Sequence, residues 1–294
     1  METTLSGRGK PVRISADGPV VIIGEKINPT GRKRMQESLQ SGNFDYVVSL
    51  AISQVAAGAQ VLDINVGMPG LDEVALMRQV VRLVSDAVDV PLCIDSPNPE
   101  VLAAGLEVAP GKPLVNSVSG EEARLYAILP LIKDRGAAVV GLIMDDAGIS
   151  PTPEARLDVA RRIMERASAL GIPPEDLVID PLAMAVGADT AASLVTLRTI
   201  ELVKLELGTN ITMGASNVSF GLPERPTLNA AFMVLAIQAG LTCAITDAAK
   251  LAGPIRATDM LLGRDEYAAG YIKWFRKSQA LLREAVQAAS AVTH

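Results

Sequence analysis

The run Pro91-Leu92-Cys93-Ile94-Asp95-Ser96-Pro97-Asn98-Pro99-Glu100 holds the fold in miniature. Its apolar start reads as a short strand covered on both faces. Asp95 closes the strand. Asn98 then stands in a capping position, Pro99 occupies the first helical position, and a helical pattern follows. Thr152-Pro153-Glu154 repeats the device, and Asp72 reads as a cap before another helical run.

The same unit recurs along the chain. Strand-like runs lie at 20–28, 61–67, 91–96, 113–119, 137–144, 177–183, 211–219 and 243–249. The segments between them are helical in pattern. Over 155–170, Leu157, Ala160, Ile163, Met164, Ala167 and Leu170 fall on an apolar face, which assigns Arg156, Asp158, Arg161, Arg162, Glu165 and Arg166 to solvent. Gly58, Gly136, Gly171 and Gly240 close helices just before the next strand. Repeated β-then-α units with short links predict an α/β protein of the closed (β/α)8 TIM-barrel type. An open dinucleotide-binding sheet is disfavoured, because no G-x-G-x-x-G follows the first strand. Residues 1–19 read as an extended N-terminal leader. Residues 20–294 read as a single barrel with a long C-terminal helical stretch at 257–291.

Composition narrows the function. With 27 Lys+Arg against 33 Asp+Glu, the formal charge of −6 argues against nucleic acid and anionic membranes as partners. An aromatic content of 3% leaves little for base stacking. No apolar run is long enough to span a bilayer, and no signal region precedes the first strand, so a cytoplasmic protein is expected. Cys93 and Cys243 each sit in an apolar run and read as buried thiols, not a disulfide. The sole histidine is His294, the last residue, which removes clustered-His zinc sites and His-based acid–base chemistry from consideration. No protein-bound metal is expected.

In such a barrel the chemistry comes from the C-terminal strand ends and the loops after them. Read in order, these ends give Glu25 and Asn28, Asp63 and Asn65, Asp95 and Ser96, Asn116 and Ser117, Asp145 and Asp146, Asp180, Ser216 and Asn217, and Asp247. Asp and Asn form strands poorly and are costly to bury without partners. Some of them cap helices or brace loops; for Asp63, Asp146 and Asp247 that reading stands beside ligand contact. Asp95, Asn116 and Asp180 each follow apolar residues and point into or over a core. The set suits a planar ligand rich in N–H donors, such as a guanine-like or pterin-like edge, because one carboxylate accepts two adjacent N–H groups. A phosphorylated substrate fits poorly: the loop Phe220-Gly221-Leu222-Pro223-Glu224-Arg225-Pro226 is not the glycine-rich phosphate cradle of many barrels.

The segments Ile23-Gly24-Glu25-Lys26-Ile27-Asn28, Leu62-Asp63-Ile64-Asn65-Val66-Gly67, Leu92-Cys93-Ile94-Asp95-Ser96, Val115-Asn116-Ser117, Ile179-Asp180-Pro181 and Gly214-Ala215-Ser216-Asn217-Val218-Ser219, with Arg225-Pro226 beyond, run in order over about 20–275. In these the chain resembles the methyltetrahydrofolate–corrinoid protein methyltransferases, pterin-binding barrels related to the folate domain of cobalamin-dependent methionine synthase and to dihydropteroate synthase. The resemblance implies one-carbon chemistry: methyl transfer between N5 of a tetrahydrofolate and the cobalt of a corrinoid. It implies pterin contacts from Asp95, Asn116 and Asp180, a contact from the Asn217 amide to N5, pocket-lining roles for Gly214 and Ser216, and a loop role for Arg225. Glu25, Asp63 and Asn65 match residues at the mouth of the barrel. It further implies a homodimer. The chain shows no Asp-x-His-x-x-Gly corrinoid motif, so the corrinoid (cobalamin) is expected on a partner protein.

The sequence departs from the resemblance at Met144-Asp145-Asp146-Ala147-Gly148, where a better-known branch is basic, and in the length of the leader. Both bear on how the folate tail and the corrinoid partner are held. A dihydropteroate synthase-like enzyme is the nearest alternative, yet Asn65-Val66-Gly67-Met68-Pro69 lacks that enzyme's Gly-Gly-Glu-Ser-Thr-type run. A non-catalytic folate-binding protein is a second alternative. A Schiff-base aldolase using Lys26 or Lys250 is a third. For methyl transfer, N5 needs positive charge as its bond to carbon breaks. An amide cannot act as an acid at neutral pH, so Asn217 is expected to hydrogen-bond at N5 while the proton arrives through a network, with Asp95 and water as a candidate relay. Asn217 and Asp95 are the expected catalytic residues.

Overall fold

A computed structural model describes residues 1–292, with side chains to 283. His294 lies outside the described residues. The strands β3 (Val21–Ile27), β4 (Val61–Asn65), β5 (Leu92–Asp95), β6 (Leu114–Ser119), β7 (Ala138–Leu142), β8 (Leu177–Asp180), β9 (Asn210–Ile211) and β10 (Cys243–Thr246) form one 8-stranded sheet in the order β10-β3-β4-β5-β6-β7-β8-β9. Every paired neighbour is parallel. The seam between β9 and β10 is held by Thr242 N donating to Ile211 O at 3.0 Å, Ile245 N donating to Met213 O at 3.1 Å, and a bridge between Gly214 and Ile245. The protein is therefore a nearly closed (β/α)8 barrel.

Helices cover the outside: α1 (Lys33–Ser41), α2 (Asp45–Ala57), α3 (Glu73–Ala87), α4 (Pro99–Val108), α5 (Glu122–Arg135), α6 (Pro153–Ala169), α7 (Ala192–Glu206), α8 (Arg225–Ala239), α9 (Ala248–Leu261) and α10 (Ala269–Val292). Asn98 caps α4 by accepting from Glu100 N, and Asp72 caps α3 by accepting from Ala75 N. Gly58 and Gly136 end α2 and α5 in the left-handed conformation that a Cβ disfavours. Among the described residues no helix is long and apolar enough to cross a membrane.

The strand alternation divides the core in two. One set of side chains packs outward under the helices. The other fills the lumen: Val21 and Ile23, Val61, Cys93, Leu114, Ala138 and Val140, Val178, Cys243 and Ile245. Both cysteines are free and buried there.

Residues 1–19 are not an extended leader. They form an antiparallel hairpin, β1 (Glu2–Leu5) with β2 (Val12–Ser15). Leu5 and Ile14 are fully buried and join the lumen cluster. The Asn210 amide ties the hairpin down, donating to Thr3 Oγ1 at 2.9 Å and Ile14 O at 2.8 Å. The hairpin plugs the N-terminal end of the barrel, which leaves the lumen open at the C-terminal strand ends. The signal was the period-two pattern of Thr3, Leu5, Val12 and Ile14, interrupted by a polar, glycine-bearing turn.

Two further expectations are corrected. The 211–219 run is not strand throughout: β9 stops at Ile211, and Ala215–Ser219 is a 3-10 helix. Ala215 and Val218, three apart, both point into the core, a spacing that suits a 3-10 turn and not a strand. Arg156, assigned above to solvent, is only 3% exposed.

Candidate active site

Register sets the rows of the mouth. In parallel pairing Asp63 stands beside Cys93, Asn65 beside Asp95, Asp95 beside Asn116, and Leu142 beside Asp180. Paired neighbours project to the same side, and on each strand the next residue on that side is two along. Val61, Asp63 and Asn65 thus climb one strand from the lumen to the rim. Asn65, Asp95 and Asn116 form a polar row at the top, and Asp63 lies one layer below, beside the lumen thiol of Cys93.

Hydrogen bonds fix the orientation of each group. Asn65 Nδ2 donates to Asp95 Oδ2 at 2.9 Å, while Asn65 Oδ1 accepts from Gly67 N at 2.8 Å. Asn116 Nδ2 donates to Asp63 Oδ1 at 3.2 Å, which leaves the Asn116 carbonyl as its open end. Asp180 Oδ1 accepts from Leu182 N at 2.8 Å, and the carboxylate also takes the Gly214 N–H. Asp95, Asn116 and Asp180 are each held by the scaffold and keep acceptor capacity; Asp95 and Asn116 line one cleft, while Asp180 is buried beneath the rim.

Burial dominates the electrostatics. It pushes the Asp180 carboxyl up to about 7, against hydrogen bonds from Leu182 and Gly214 and the field of Arg156. It pushes Asp95 up to about 6, against the Asn65 hydrogen bond. Asp63, deeper still, is raised well above the usual carboxylate range by burial and then by the neighbouring Asp95. Glu25 is raised by burial, with Arg32 pulling it down and Asp247 pushing it up. Burial thus raises several carboxyl groups around one mouth, the pattern of a candidate ligand site.

Across the mouth, the 3-10 turn carries Ser216 and Asn217. Asn217 is exposed, and its amide has no protein partner among the described residues. The Asn217 amide lies over Gly214: a Cβ there would stand 3.4 Å from Asn217 Nδ2, an ordinary van der Waals contact. Arg225 braces the turn: Nη2 donates to Ser216 O at 2.9 Å and Nε to Ser219 Oγ at 3.1 Å, with the guanidinium 5.6 Å from the Phe220 ring. A cleft of about 280 Å³ brings together Glu25, Lys26, Arg32, Ser216, Arg225 and Asp247. A second cleft, about 390 Å³, is lined by Asp95, Ser96, Asn116, Ser117, Arg124 and Met144. The cavity of about 430 Å³ between Val55, Trp274 and Leu281 lies at the end of α2 that precedes β4, on the opposite face from the strand ends.

Other strand-end acids have local duties. Asp247 caps α9 through Ala249 N at 3.2 Å and pairs with Lys26 at 2.6 Å. Asp145 pairs with Arg162 at 2.6 Å, which holds its carboxyl below the usual range. Asp146 accepts from Glu122 N at 3.4 Å. Sequence reasoning missed Arg156 and Arg124. The signal for Arg156 was its helical register with Ala160, Ile163 and Ala167, all fully buried.

A family model described as pterin binding enzyme matches residues 24–247. A methylcorrinoid:tetrahydrofolate methyltransferase of Eubacterium limosum is 35% identical over 268 residues, covering 88% of this chain and 97% of that protein. A methionine synthase of Mycobacterium tuberculosis is 30% identical over 263 residues, which is 85% of this chain but 22% of that longer protein. Dihydropteroate synthases share the fold: one from Yersinia pestis with a sulfonamide drug superimposes with a TM-score of 0.71 at 16% identity over 89% of this chain and 99% of its own. One from Xanthomonas albilineans with 7,8-dihydropteroate gives 0.70 at 22% identity over 88% and 98%.

Proposed function

This chain belongs to the pterin-binding enzymes, and on that footing we propose that it is a methyltransferase acting between N5 of a tetrahydrofolate and the cobalt of a corrinoid carried by a partner protein. One observation carries the choice of reaction: the likeness to the Eubacterium limosum methyltransferase extends over 97% of that protein. The dihydropteroate synthases share the barrel at 16% and 22% identity, which is a likeness of fold.

The mouth has the acceptors that a pterin edge needs. Asp95, Asn116 and Asp180 take its N–H donors through the oxygens that the scaffold leaves open. Such a site rejects ligands lacking those donors, because buried carboxylates are then left unpaired. Gly214 and Ser216 line the side where N5 lies, and the Asn217 amide turns toward it. When the N5–methyl bond breaks toward the acceptor, the bonding electrons stay on N5, and a proton there makes the amine a better leaving group. Asn217 stabilises protonated N5 by accepting from it; it does not supply the proton. The proton comes through water and Asp95, whose carboxyl burial pushes up to about 6. Glu25, Asp63, Asn65 and Arg225 shape and brace the mouth. The corrinoid, as methyl carrier, arrives from above with its own protein, and the same site serves transfer in either direction.

A homodimer accompanies this reading. Leu194 and Leu205 of α7, with Val234 and Leu235 of α8, form an exposed apolar band that a second copy would cover. A cytoplasmic location is in keeping with two free, buried thiols. The reaction is tested by mixing the protein with methyltetrahydrofolate and a reduced corrinoid and following the Co(I) absorption. Enzyme-dependent loss of that absorption supports the proposal, and its absence in both directions of transfer overturns it.

A further inference from the structure

Arg156 lies at the start of α6 and is buried, though the helix around it carries exposed charges. Its Nε donates to Ser150 O at 2.8 Å, and its Nη1 donates to Pro181 O at 2.9 Å and Leu182 O at 3.0 Å. One guanidinium therefore joins the loop after β7 to the loop after β8. A buried cation bonded to carbonyls alone is costly unless an opposite charge faces it. No carboxylate stands at ion-pair distance from it among the described residues; the acidic group whose field reaches it is Asp180.

Leu182 connects the two. Its φ is 61°, in the left-handed region that a branched residue adopts only where its surroundings enforce it. In that conformation its N–H turns back onto Asp180 Oδ1 at 2.8 Å. Its carbonyl is gripped by Arg156 and also by Thr196 Oγ1 of α7 at 3.0 Å. Pull the guanidinium away and the turn loses one of the two groups that hold it, while Asp180 loses its facing cation.

We propose that Arg156 is a positioning residue for the pterin site, clamping the 181–182 turn that aims Asp180 and setting a buried guanidinium behind it. The inference rests on the pterin reading above. The titratable and charged groups that face Asp180 are Arg156 of α6 and the Cys243 thiol of β10. Burial holds that thiol up at about 12, so it stays neutral where Asp180 titrates.

Calorimetric titration of the full chain with methyltetrahydrofolate, repeated from about pH 5.5 to about pH 8.5, separates the outcomes. Wild-type affinity falls as the pH drops through the titration of Asp180, since the protonated acid accepts fewer N–H donors. In Arg156→Met the midpoint of that fall moves upward, the direction that loss of a facing cation and of the clamped Leu182 N–H gives. Arg156→Lys keeps the charge without the fork: its midpoint stays near wild type, and its affinity drops by about tenfold at every pH. A folded Arg156→Met with a lowered melting temperature and an unmoved midpoint would overturn the inference, since a merely structural arginine behaves that way. Should the Met variant not fold, Arg156→Lys binding as tightly as wild type overturns it alone. Failure of the wild type to bind the folate is a distinct result, and it removes the pterin reading and this inference together.

Discussion

Asn65 and Asp95 are locked together: Asn65 Nδ2 donates to Asp95 Oδ2 at 2.9 Å, and Asn65 Oδ1 is held by the Gly67 N–H at 2.8 Å. The amide cannot flip without breaking both bonds. It occupies one oxygen of Asp95 and fixes the direction of the other. Asn65, at the mouth but with both ends engaged, acts on a ligand through its neighbour.

Replacing Asn65 by Ala is therefore expected to weaken pterin binding by about 10- to 100-fold, the usual worth of a hydrogen bond to a charged group. Asn65→Asp should be worse, because it places a like charge against Asp95. Calorimetry with methyltetrahydrofolate checks both, and wild-type affinity in Asn65→Ala would contradict the arrangement.

Asp180 predicts an opposition between stability and binding. Its folded-state value of about 7 lies above the ordinary 3.8, so it stabilises the ligand-free fold below about pH 4 and loses that contribution as the pH rises through about 7. Asp180→Asn removes the titration. The variant should gain stability relative to wild type between pH 5 and pH 8 in urea unfolding while losing folate binding. A variant less stable than wild type at pH 8 would count against the buried carboxyl as described.

The N-terminal hairpin is expected to be structural. Ile14 is fully buried in the lumen floor, so Ile14→Ala should cost about 2–5 kcal/mol in unfolding free energy. Folate affinity of the folded variant should match wild type. A specific loss of affinity without loss of stability would show that the plug reaches the mouth.

The apolar band on α7 and α8 gives a test of assembly. Leu205 is 80% exposed in the single chain. If a second copy covers it, Leu205→Glu yields a monomer by light scattering where the wild type is a dimer. A wild-type protein monomeric at micromolar concentration contradicts the dimer.

Much of this was legible in the sequence because its physics is local. Asn98 and Pro99 announce a helix start, and the apolar run ending in Asp95 announces a buried strand with a polar tip. Register then carries Asn65, Asp95 and Asn116 to one row, which strand ends alone could suggest. What was hidden depends on tertiary contacts. Arg156 looks like one more charge on a polar helix until the carbonyls of Ser150, Pro181 and Leu182 surround it. The hairpin looked like a leader because its signal is only four residues per strand. The 211–219 run read as strand because Met213, Ala215 and Val218 are apolar, while the 3-10 turn that presents Asn217 is set by packing of Ala215 and Val218.

The most direct measurement is a single-turnover reaction of methyltetrahydrofolate with a Co(I) corrinoid, followed by absorption, with wild type and Asn217→Ala side by side. Enzyme-dependent formation of methyl-cobalt by the wild type is the expected result. Asn217→Ala should be slower by about 10²-fold or more, with folate affinity nearly retained, as loss of help at the leaving nitrogen requires. Equal rates in the two proteins would contradict the role of Asn217, and no enzyme-dependent reaction by the wild type would contradict the methyl transfer itself.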